Sequence, residues 1–314
     1  MINKMFQKWF NKNKIGLLPY ISEPVYGLSP NDPQTLGWEI KKFNIEKSWN
    51  QSSGEGVVCA VLDTGCDLGH ADLSDNLLDG QNFIDLKDRP IDKNGHGTHV
   101  SSTIAAINNS KGIVGVAPKT KILPVKVLND SGGGSVRSIV DGIYYAADFF
   151  EVNFITMSLG SSHSSKDIEK AINYAVSKNK IIFCAAGNSG PGLGITYPAK
   201  YANTIAIGAI DENFKRTPFS CSGEELEFLA PGNNILGCVP ENKYSIMSGT
   251  SMSNPFAVGI ASLVLSYNIK HKKYKLESKD DYVNLLKQYS IPMMDNRYPS
   301  TKEYQGYGII QPIN

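Results

Sequence analysis

The stretch VVCAVLD, residues 57–63, is a short apolar run that ends in an acid. Four more runs of this length and character follow, namely KILPVKVL (121–128), FITMSLG (154–160), IIFCAAGN (181–188) and TIAIGAI (204–210). Near-continuous apolar runs of strand length are typical of strands that are buried on both faces, as they are in a parallel sheet. These five runs therefore predict the strands of a parallel sheet.

Helix-patterned segments separate the apolar runs. HVSSTIAAI, SVRSIVDGIYYAADFF and DIEKAINYAVSKN carry apolar residues at helical spacing, and Ser165 is placed to cap the last of them. The alternation predicts an α/β fold of one domain, with a doubly wound, mostly parallel sheet and helices on both faces. Ligands of such folds bind beyond the carboxyl ends of the strands. The first thirty or so residues show no such pattern, and we expect them to be irregular.

Composition limits the partners and the compartment. The chain has 314 residues and a formal net charge of +1, which provides no general attraction to nucleic acid or to a membrane surface. No long uncharged apolar stretch and no signal-like N-terminal core are present, so no membrane association is expected. The five cysteines include no C-x-x-C pair, which favours buried thiols in the cytoplasm over a disulfide scaffold or a metal site.

Acyl transfer by a serine needs a nucleophile, a histidine base and a carboxylate that orients the base. Candidates for the carboxylate and the base lie beside turn-forming residues. Asp63 ends its apolar run before Thr-Gly, and His96 lies between glycines in NGHGTHVSSTIAAI. The alternative for Asp63 is an acid that only caps a turn, and the alternative for His96 is a structural histidine. We assign a structural role to His99, three residues later.

Ser251 lies near the start of GTSMSNPFAVGIASLVL, residues 249–265, which is otherwise a buried apolar helix. Free N–H groups at a helix start stabilise negative charge, so a nucleophile at this position gains a stabilised oxyanion. An N-cap serine is the alternative. We expect Pro255 to be tolerated because it falls in the first turn.

Together, VLDTGCD, NGHGTHV, AAGN and GTSM resemble, in order and spacing, the motifs of the subtilisin-type serine proteases, and the resemblance extends from about residue 34 to 308. It implies that Ser251 is the nucleophile, His96 the general base and acid, and Asp63 the carboxylate that orients it. Asn188 matches the side-chain donor to the oxyanion. The implied activity is that of a serine endopeptidase working through an acyl-enzyme.

The resemblance also implies two substrate-binding edges and a specificity pocket. SGGG and SLG resemble the edges between which an extended peptide or protein substrate binds as an added strand, although a flexible turn is the alternative for SGGG. Thr196 matches the floor of the primary pocket, where a branched side chain favours medium-sized apolar residues. The implied substrate-binding residues are Ser131, Gly132, Gly133, Gly134, Ser158, Leu159, Gly160 and Thr196.

The loop INNSKGIVGVAP, residues 107–118, resembles the tight calcium loop of the family. Calcium accepts six to eight oxygen ligands, including carbonyl oxygens, so an acidic cluster is not required. Without the resemblance, this segment would be interpreted as a polar surface loop. The implied ligands of a structural calcium are Gln34, Asp72, Ile107, Asn109, Lys111 and Ile113.

LLPY, residues 17–20, is similar to a segment of the intracellular subtilisins, whose short N-terminal extension blocks the active site until it is removed. Proline restricts the backbone, so Pro19 can lie in the cleft while presenting a bond that is poorly placed for attack. This implies an inhibitory extension over residues 1–26 and a catalytic domain over residues 27–314. Intracellular members are often dimers, so the resemblance also implies a homodimer as one oligomeric state.

The chain departs from the family pattern behind the nucleophile, where Ser253, Asn254, Pro255 and Phe256 replace the usual run, and at Ser161. Two other functions stay open: a dedicated cytoplasmic protease that trims one precursor peptide, and an inactive member of the fold that serves as a binding scaffold. Esterase activity on small molecules is disfavoured because the two edges fit an extended polypeptide.

Overall fold

A computed structural model describes residues 15–312 of the chain. Its centre is a seven-stranded sheet in which every neighbouring pair is parallel. The five predicted strands are all present, and the α/β fold prediction is confirmed. In spatial order the strands are Leu226–Pro231, Ile205–Ile210, Ile181–Ala185, Phe154–Met157, Val58–Asp63, Lys121–Lys126 and Gln81–Asn82. The first and last of these were not predicted.

Helices cover both faces of this sheet. Val136–Asp148 packs against Lys166–Ser177, and His96–Ala105 packs against Thr250–His271. Ser165 caps its helix as predicted, since its Oγ accepts a hydrogen bond from the N–H of Ile168 at 3.4 Å. Between residues 15 and 312, no helix has both the length and the apolar character needed to cross a membrane. The other helices are Trp38–Lys42, Ile45–Ser48, Lys279–Tyr289 and Lys302–Gln305, with 3₁₀ turns at Ser74–Asn76 and Pro191–Leu193.

The N-terminal segment contributes to two small antiparallel sheets. Ile15–Leu17 lies between Gly133–Gly134 and Leu159–Gly160. Ile21–Val25 pairs with Lys243–Ser248, which in turn pairs with Ile235–Val239. The expectation of an irregular N-terminus is therefore wrong for residues 15–17 and 21–25, because remote strands provide the main-chain partners. Residues 1–14 lie outside the described part of the chain.

A buried guanidinium attaches the C-terminal segment to the sheet. The side chain of Arg216 is fully buried, and it donates hydrogen bonds to the carbonyl oxygens of Tyr304 at 2.9 Å and Ser220 at 2.8 Å. It also lies 5.4 Å from the centre of the Tyr298 ring. A buried cation is tolerated only when its donors are satisfied. Residues near 300 thus complete the domain.

All five cysteines are free and buried, as expected for thiols of a core. Burial raises the pKa of the thiols of Cys59 and Cys184 well above the usual range. These thiols are therefore unreactive in the folded protein.

Glu39 provides a test of how burial affects stability. Glu39 belongs to the Trp38–Lys42 helix and is buried, and its Oε2 has no hydrogen-bond partner among residues 15–312. Burial raises the pKa of this carboxyl group to about 7. The folded protein therefore holds this proton at pH values where the unfolded chain has lost it. Stability should fall as the pH rises from about 4.5 to 7, because ionising the buried group opposes folding.

We predict that Glu39→Gln removes this part of the pH dependence and raises the free energy of unfolding at pH 8 by roughly 2 to 3 kcal/mol. Urea unfolding at pH 5 and pH 8 measures the effect. Glu46→Gln, at an exposed position in the next helix, is the matched control. An unchanged difference between the two pH values in Glu39→Gln would contradict the prediction.

Candidate active site

Asp63 and His96 form a buried pair at the carboxyl end of the sheet. Asp63 ends the central strand, and His96 begins the His96–Ala105 helix. The imidazole Nδ1 lies 2.9 Å from Asp63 Oδ1, and both side chains are fully buried. A carboxylate oxygen can only accept, so Nδ1 carries the proton and Nε2 is left with the lone pair. Nε2 has no hydrogen-bond partner among the described residues.

Ser251 lies at the start of the Thr250–His271 helix, and Tyr20 lies between this end of the helix and His96. The ring of Tyr20 contacts the His96 ring at 5.0 Å between centroids, and Gly249 packs against the same tyrosine. The Ser251 hydroxyl donates to the carbonyl oxygen of Ser158 at 3.2 Å. His96 Nε2 has no hydrogen-bond partner among the described residues, so the hydroxyl of the predicted nucleophile bonds to Ser158 and not to the imidazole of the predicted base.

The amide of Asn188 is oriented by the helix that carries Ser251. Its Oδ1 accepts hydrogen bonds from the backbone N–H and the hydroxyl of Thr250, each at 2.8 Å. The Nδ2 group is therefore turned toward the cleft, where it donates to the carbonyl oxygen of Pro19 at 2.7 Å. The predicted oxyanion donor is thus bonded to a peptide carbonyl of the chain itself.

The prediction that Pro255 falls in the first turn is wrong, because it is the sixth residue of its helix. A proline at this position leaves the carbonyl group of Ser251 without its intrahelical partner. The hydroxyl of Ser158 donates to that oxygen at 2.9 Å and restores the missing hydrogen bond. Ser158 therefore contacts Ser251 through both its hydroxyl and its carbonyl group.

The residues that depart from the family pattern are accommodated behind Ser251. Asn254 Nδ2 donates to Thr156 Oγ1 at 2.7 Å and to Ser158 Oγ at 3.3 Å. Phe256 is fully buried and packs edge-on against Phe43, with ring centroids 5.0 Å apart. Asn254 thus connects the helix to the end of the Phe154–Met157 strand, and Phe256 packs into the core against Phe43.

The two predicted substrate-binding edges flank the strand Ile15–Leu17. Gly133 and Gly134 pair with it on one side, and Leu159 and Gly160 pair with it on the other. The N–H of Leu17 also donates to Gly132 O at 2.9 Å. Ser131 lies in an exposed turn and Ser158 is engaged with Ser251, so the main-chain pairing involves the glycines and Leu159.

Thr196 lies at the pocket that receives Leu18. Leu18 is fully buried, and a methyl group at Gly160 would lie 2.7 Å from Leu18 Cδ2 and 2.9 Å from Thr196 Oγ1. Gly187 lies against Thr196 and the sulfur of Cys221, whose pKa is raised by burial to about 11. A leucine side chain therefore occupies the narrow space beside Thr196.

The sequence did not predict the contact of Tyr20 with His96. Burial, followed by the nearby charges of Asp63 and Asp92, raises the pKa of the Tyr20 hydroxyl to about 12. The strand Ile21–Val25 was also missed, because Pro24 argues against a strand interior. The LLPY motif was the only signal for this region in the sequence.

The predicted calcium ligands gather at the loop after the His96 helix. Asp72 Oδ2 accepts from the N–H of Ile113 at 2.9 Å and from the hydroxyl of Tyr244 at 2.8 Å, while Oδ1 is buried and has no hydrogen-bond partner within residues 15–312. Gln34 Nε2 donates to Ile107 O at 3.3 Å, and Asn109 Oδ1 accepts from the N–H of Lys111 at 2.9 Å. A buried carboxylate oxygen without a partner, surrounded by carbonyl and amide groups, fits a hard cation.

A softer donor set shares Asp72, since one ligand atom each from His70, Asp72 and Cys238 lie within 4.8 Å of one another. Both ring nitrogens of His70 are engaged, Nδ1 with the N–H of Asp72 at 3.2 Å and Nε2 with the carbonyl oxygen of Lys243 at 3.2 Å. Burial and the nearby Asp72 also raise the pKa of the Cys238 thiol well above its usual range. This set does not fit a thiolate and imidazole metal site.

A family model described as the subtilase family matches residues 54–308 of the chain. The match includes the strand ending in Asp63, the His96 helix, Asn188 and the Ser251 helix.

Proteins similar to the chain come from several bacteria. The intracellular serine protease of Paenibacillus polymyxa is 42% identical over 262 residues, which cover 81% of the chain and 80% of that protein. The major intracellular serine protease of Bacillus subtilis (strain 168) is 36% identical over 290 residues, with 89% of each protein covered. Thermitase of Thermoactinomyces vulgaris is 38% identical over 241 residues, covering 76% of the chain and 86% of that protein.

Proposed function

The chain belongs to the subtilase family and is a subtilisin-like serine peptidase, and we propose that it is an endopeptidase made as a precursor with an inhibitory N-terminal extension. The observation that carries the proposal is the hydrogen bond of 2.7 Å from Asn188 Nδ2 to the carbonyl oxygen of Pro19. A peptide carbonyl held by this donor, beside a serine and a buried histidine, is positioned as a substrate carbonyl would be.

In this proposal, Ser251 Oγ attacks the carbonyl carbon of the substrate and its proton passes to His96 Nε2. The hydroxyl must first turn from Ser158 O, to which it now donates at 3.2 Å, toward the imidazole. Asp63 stabilises the resulting imidazolium through the Nδ1 hydrogen bond and keeps the ring in the required orientation.

The negative charge that develops on the carbonyl oxygen is stabilised by Asn188 Nδ2 and by the backbone N–H of Ser251 at the start of its helix. His96 then gives its proton to the leaving amine, which produces the acyl-enzyme. Water hydrolyses the ester by the same steps, with His96 again acting as the base.

Two neighbouring residues of the extension supply the groups that occupy the cleft, one its side chain and the other its carbonyl group. Leu18 fills the pocket beside Thr196, whereas the carbonyl oxygen bound to Asn188 belongs to the next residue, Pro19. In a reactive substrate one residue would supply both groups. This mismatch supports an extension that binds as an inhibitor and resists cleavage.

The substrate range follows from how the edges bind peptide. Pairing through Gly133, Gly134 and Gly160 uses main-chain groups, which every polypeptide has. This favours broad cleavage of extended polypeptides over a dedicated precursor. Two relatives carry the word intracellular in their names, which supports a cytoplasmic location as part of the proposal.

A structural calcium ion is also part of the proposal. Asp72, Gln34, Asn109 and the carbonyl groups of the 107–113 loop would hold it. The ion would supply positive charge to Asp72 Oδ1, for which the described part of the chain provides no hydrogen-bond partner. Gln34 donates to Ile107 O and the N–H of Thr35 donates to Gly112 O at 2.7 Å, so the same loop holds the N-terminal region. Binding to the folded state alone would stabilise the fold.

We predict that a fluorophosphonate probe labels Ser251 only after the extension is removed. A recognition site for a specific protease is inserted between Tyr26 and Gly27, where the chain is accessible because Tyr26 is 88% exposed. The full chain is folded first and is then cut at this site. The cut peptide is separated, and mass spectrometry locates the label. Ser251→Ala is the control for the site. Labelling of the uncut chain would contradict the inhibitory role, and labelling of neither form would contradict an active nucleophile.

A second prediction concerns the pocket beside Thr196. Peptides that differ only in the residue before the cleaved bond should be cut faster after leucine than after phenylalanine, because the leucine side chain matches the space that Leu18 fills. In Thr196→Gly the ratio should shift toward phenylalanine by about tenfold or more, the order expected for a change of this volume. Ratios of kcat/KM measure it, and equal ratios in both proteins would contradict the prediction.

A third prediction concerns calcium. Addition of a chelator should lower the Tm of the full chain, with a loss of about 3 kcal/mol relative to free calcium at a hundred times its Kd. Asp72→Asn should make the Tm insensitive to calcium, and Asp75→Asn, at a nearby exposed acid, should not. Differential scanning calorimetry is the measurement. An equal response of the two variants would exclude Asp72 as a ligand.

A further inference from the structure

Asp92 is a buried carboxylate to which neither the sequence motifs nor the reaction assigns a task. It lies in the loop before the His96 helix and is 2% exposed. Across residues 15–312, no basic side chain forms an ion pair with it. A buried charge without a counter-ion is costly unless hydrogen bonds satisfy its lone pairs.

Five hydrogen bonds satisfy Asp92, and they come from both sides of the Asp63–His96 pair. Oδ1 accepts from the hydroxyl of Thr64 at 2.9 Å and from the N–H groups of Asn94 at 2.8 Å and Gly95 at 3.0 Å. Oδ2 accepts from the N–H of Thr98 at 3.0 Å and from its hydroxyl at 2.6 Å. Thr64 follows Asp63 in the chain, and the other three residues surround His96.

Thr64 extends this network to the reacting groups. Its N–H donates to Asp63 Oδ1 at 2.7 Å, the same oxygen that lies 2.9 Å from His96 Nδ1. Its hydroxyl donates to Asp92 and accepts from the N–H of Gly97 at 2.9 Å. Its carbonyl oxygen accepts from the Lys126 ammonium at 2.6 Å. One carboxylate therefore holds the end of the central strand against the start of the helix.

We propose that Asp92 is a positioning residue that sets the distance and direction of the Asp63–His96 hydrogen bond. Each of its oxygens bonds to the segment that carries His96, and Oδ1 alone also bonds to the segment that carries Asp63. The inference rests on the function proposed above, in which this pair acts in proton transfer. A residue that only capped the helix would bind its N–H groups and would not need the hydroxyl of Thr64.

The side chain of asparagine has the same shape, but its Nδ2 group cannot accept hydrogen bonds. In Asp92→Asn either the two Thr98 donors or the donors of Thr64, Asn94 and Gly95 therefore lose their acceptor, depending on how the amide is turned. Either orientation lets the helix start shift relative to Asp63. A misplacement on the order of 1 Å at a reacting group can cost about a hundredfold in rate.

The first measurement uses the uncut full chain. Proton NMR detects the hydrogen-bonded Nδ1 proton of His96 far downfield, and its absence in His96→Ala assigns it. We expect Asp92→Asn to shift or broaden this resonance. Glu227→Gln, which changes a buried carboxylate that pairs with Lys279 and Lys302, is the matched control and should leave the resonance unchanged.

The second measurement uses chain folded at full length and then cut after Tyr26. Asp92→Asn should lower kcat about 10- to 100-fold with KM within about twofold, because positioning acts in the reaction and not in binding. Thr64→Val, which removes only the bridging hydroxyl, should change kcat in the same direction. Glu227→Gln should retain both constants, even where its Tm falls.

The outcomes separate the inference from the proposed function. Wild-type kcat and an unchanged resonance in Asp92→Asn, with only a lower Tm, would overturn the positioning role while Ser251→Ala stays inactive. Activity in Ser251→Ala would instead overturn the proposed function. If Asp92→Asn does not fold, Thr64→Val decides the question through the same two measurements.

Discussion

The parallel pairing of Val58–Asp63 with a strand on each side is the constraint on which the rest of the structure depends. Parallel strands end at the same edge of a sheet, so the residues that follow them converge. Asp63, Ser158 and Asn188 each end or follow a strand of the parallel sheet, so a carboxylate, a hydroxyl and an amide from distant parts of the chain lie along one edge of it. The helices then supply His96 and Ser251 at their first turns, where side chains from other segments accept hydrogen bonds from the N–H groups that lack a partner within the helix.

The two glycine-containing edges pair with a segment of the chain itself. Short strands with unpaired main-chain groups accept any extended segment, and Ile15–Leu17 of the chain itself fills the position between them. Continuous pairing of Ile21–Val25 with Lys243–Ser248 anchors the far side of the cleft. Between the two strands, Leu18 lies in the pocket while the Pro19 carbonyl lies at Asn188. The same main-chain groups that suit substrate binding thus suit self-binding.

Buried polar groups around the site are satisfied by partners far apart in sequence. The hydroxyl of Ser158 replaces the N–H that Pro255 lacks, and Asn254 bonds to Thr156 and Ser158 from the adjacent turn. Asp92 likewise accepts hydrogen bonds from the N–H groups of Gly95 and Thr98 at the start of the His96 helix. Because each such group would be costly if left unpaired, these bonds fix the arrangement of the reacting side chains as well as the fold.

Periodicity and motif order in the sequence determined the α/β fold and five of the seven sheet strands, and they predicted Asp63, His96, Asn188 and Ser251 as site residues. These are local properties, since an apolar run or a glycine beside a histidine is visible in a few adjacent positions. Only the tertiary structure decided three other features: the strands Ile15–Leu17 and Ile21–Val25, the hydrogen bond from Ser158 that replaces the N–H missing in Pro255, and the five hydrogen bonds of Asp92. Each depends on a partner tens or hundreds of residues away, and the preferences of a segment do not identify the remote strand or hydroxyl that will satisfy its polar groups.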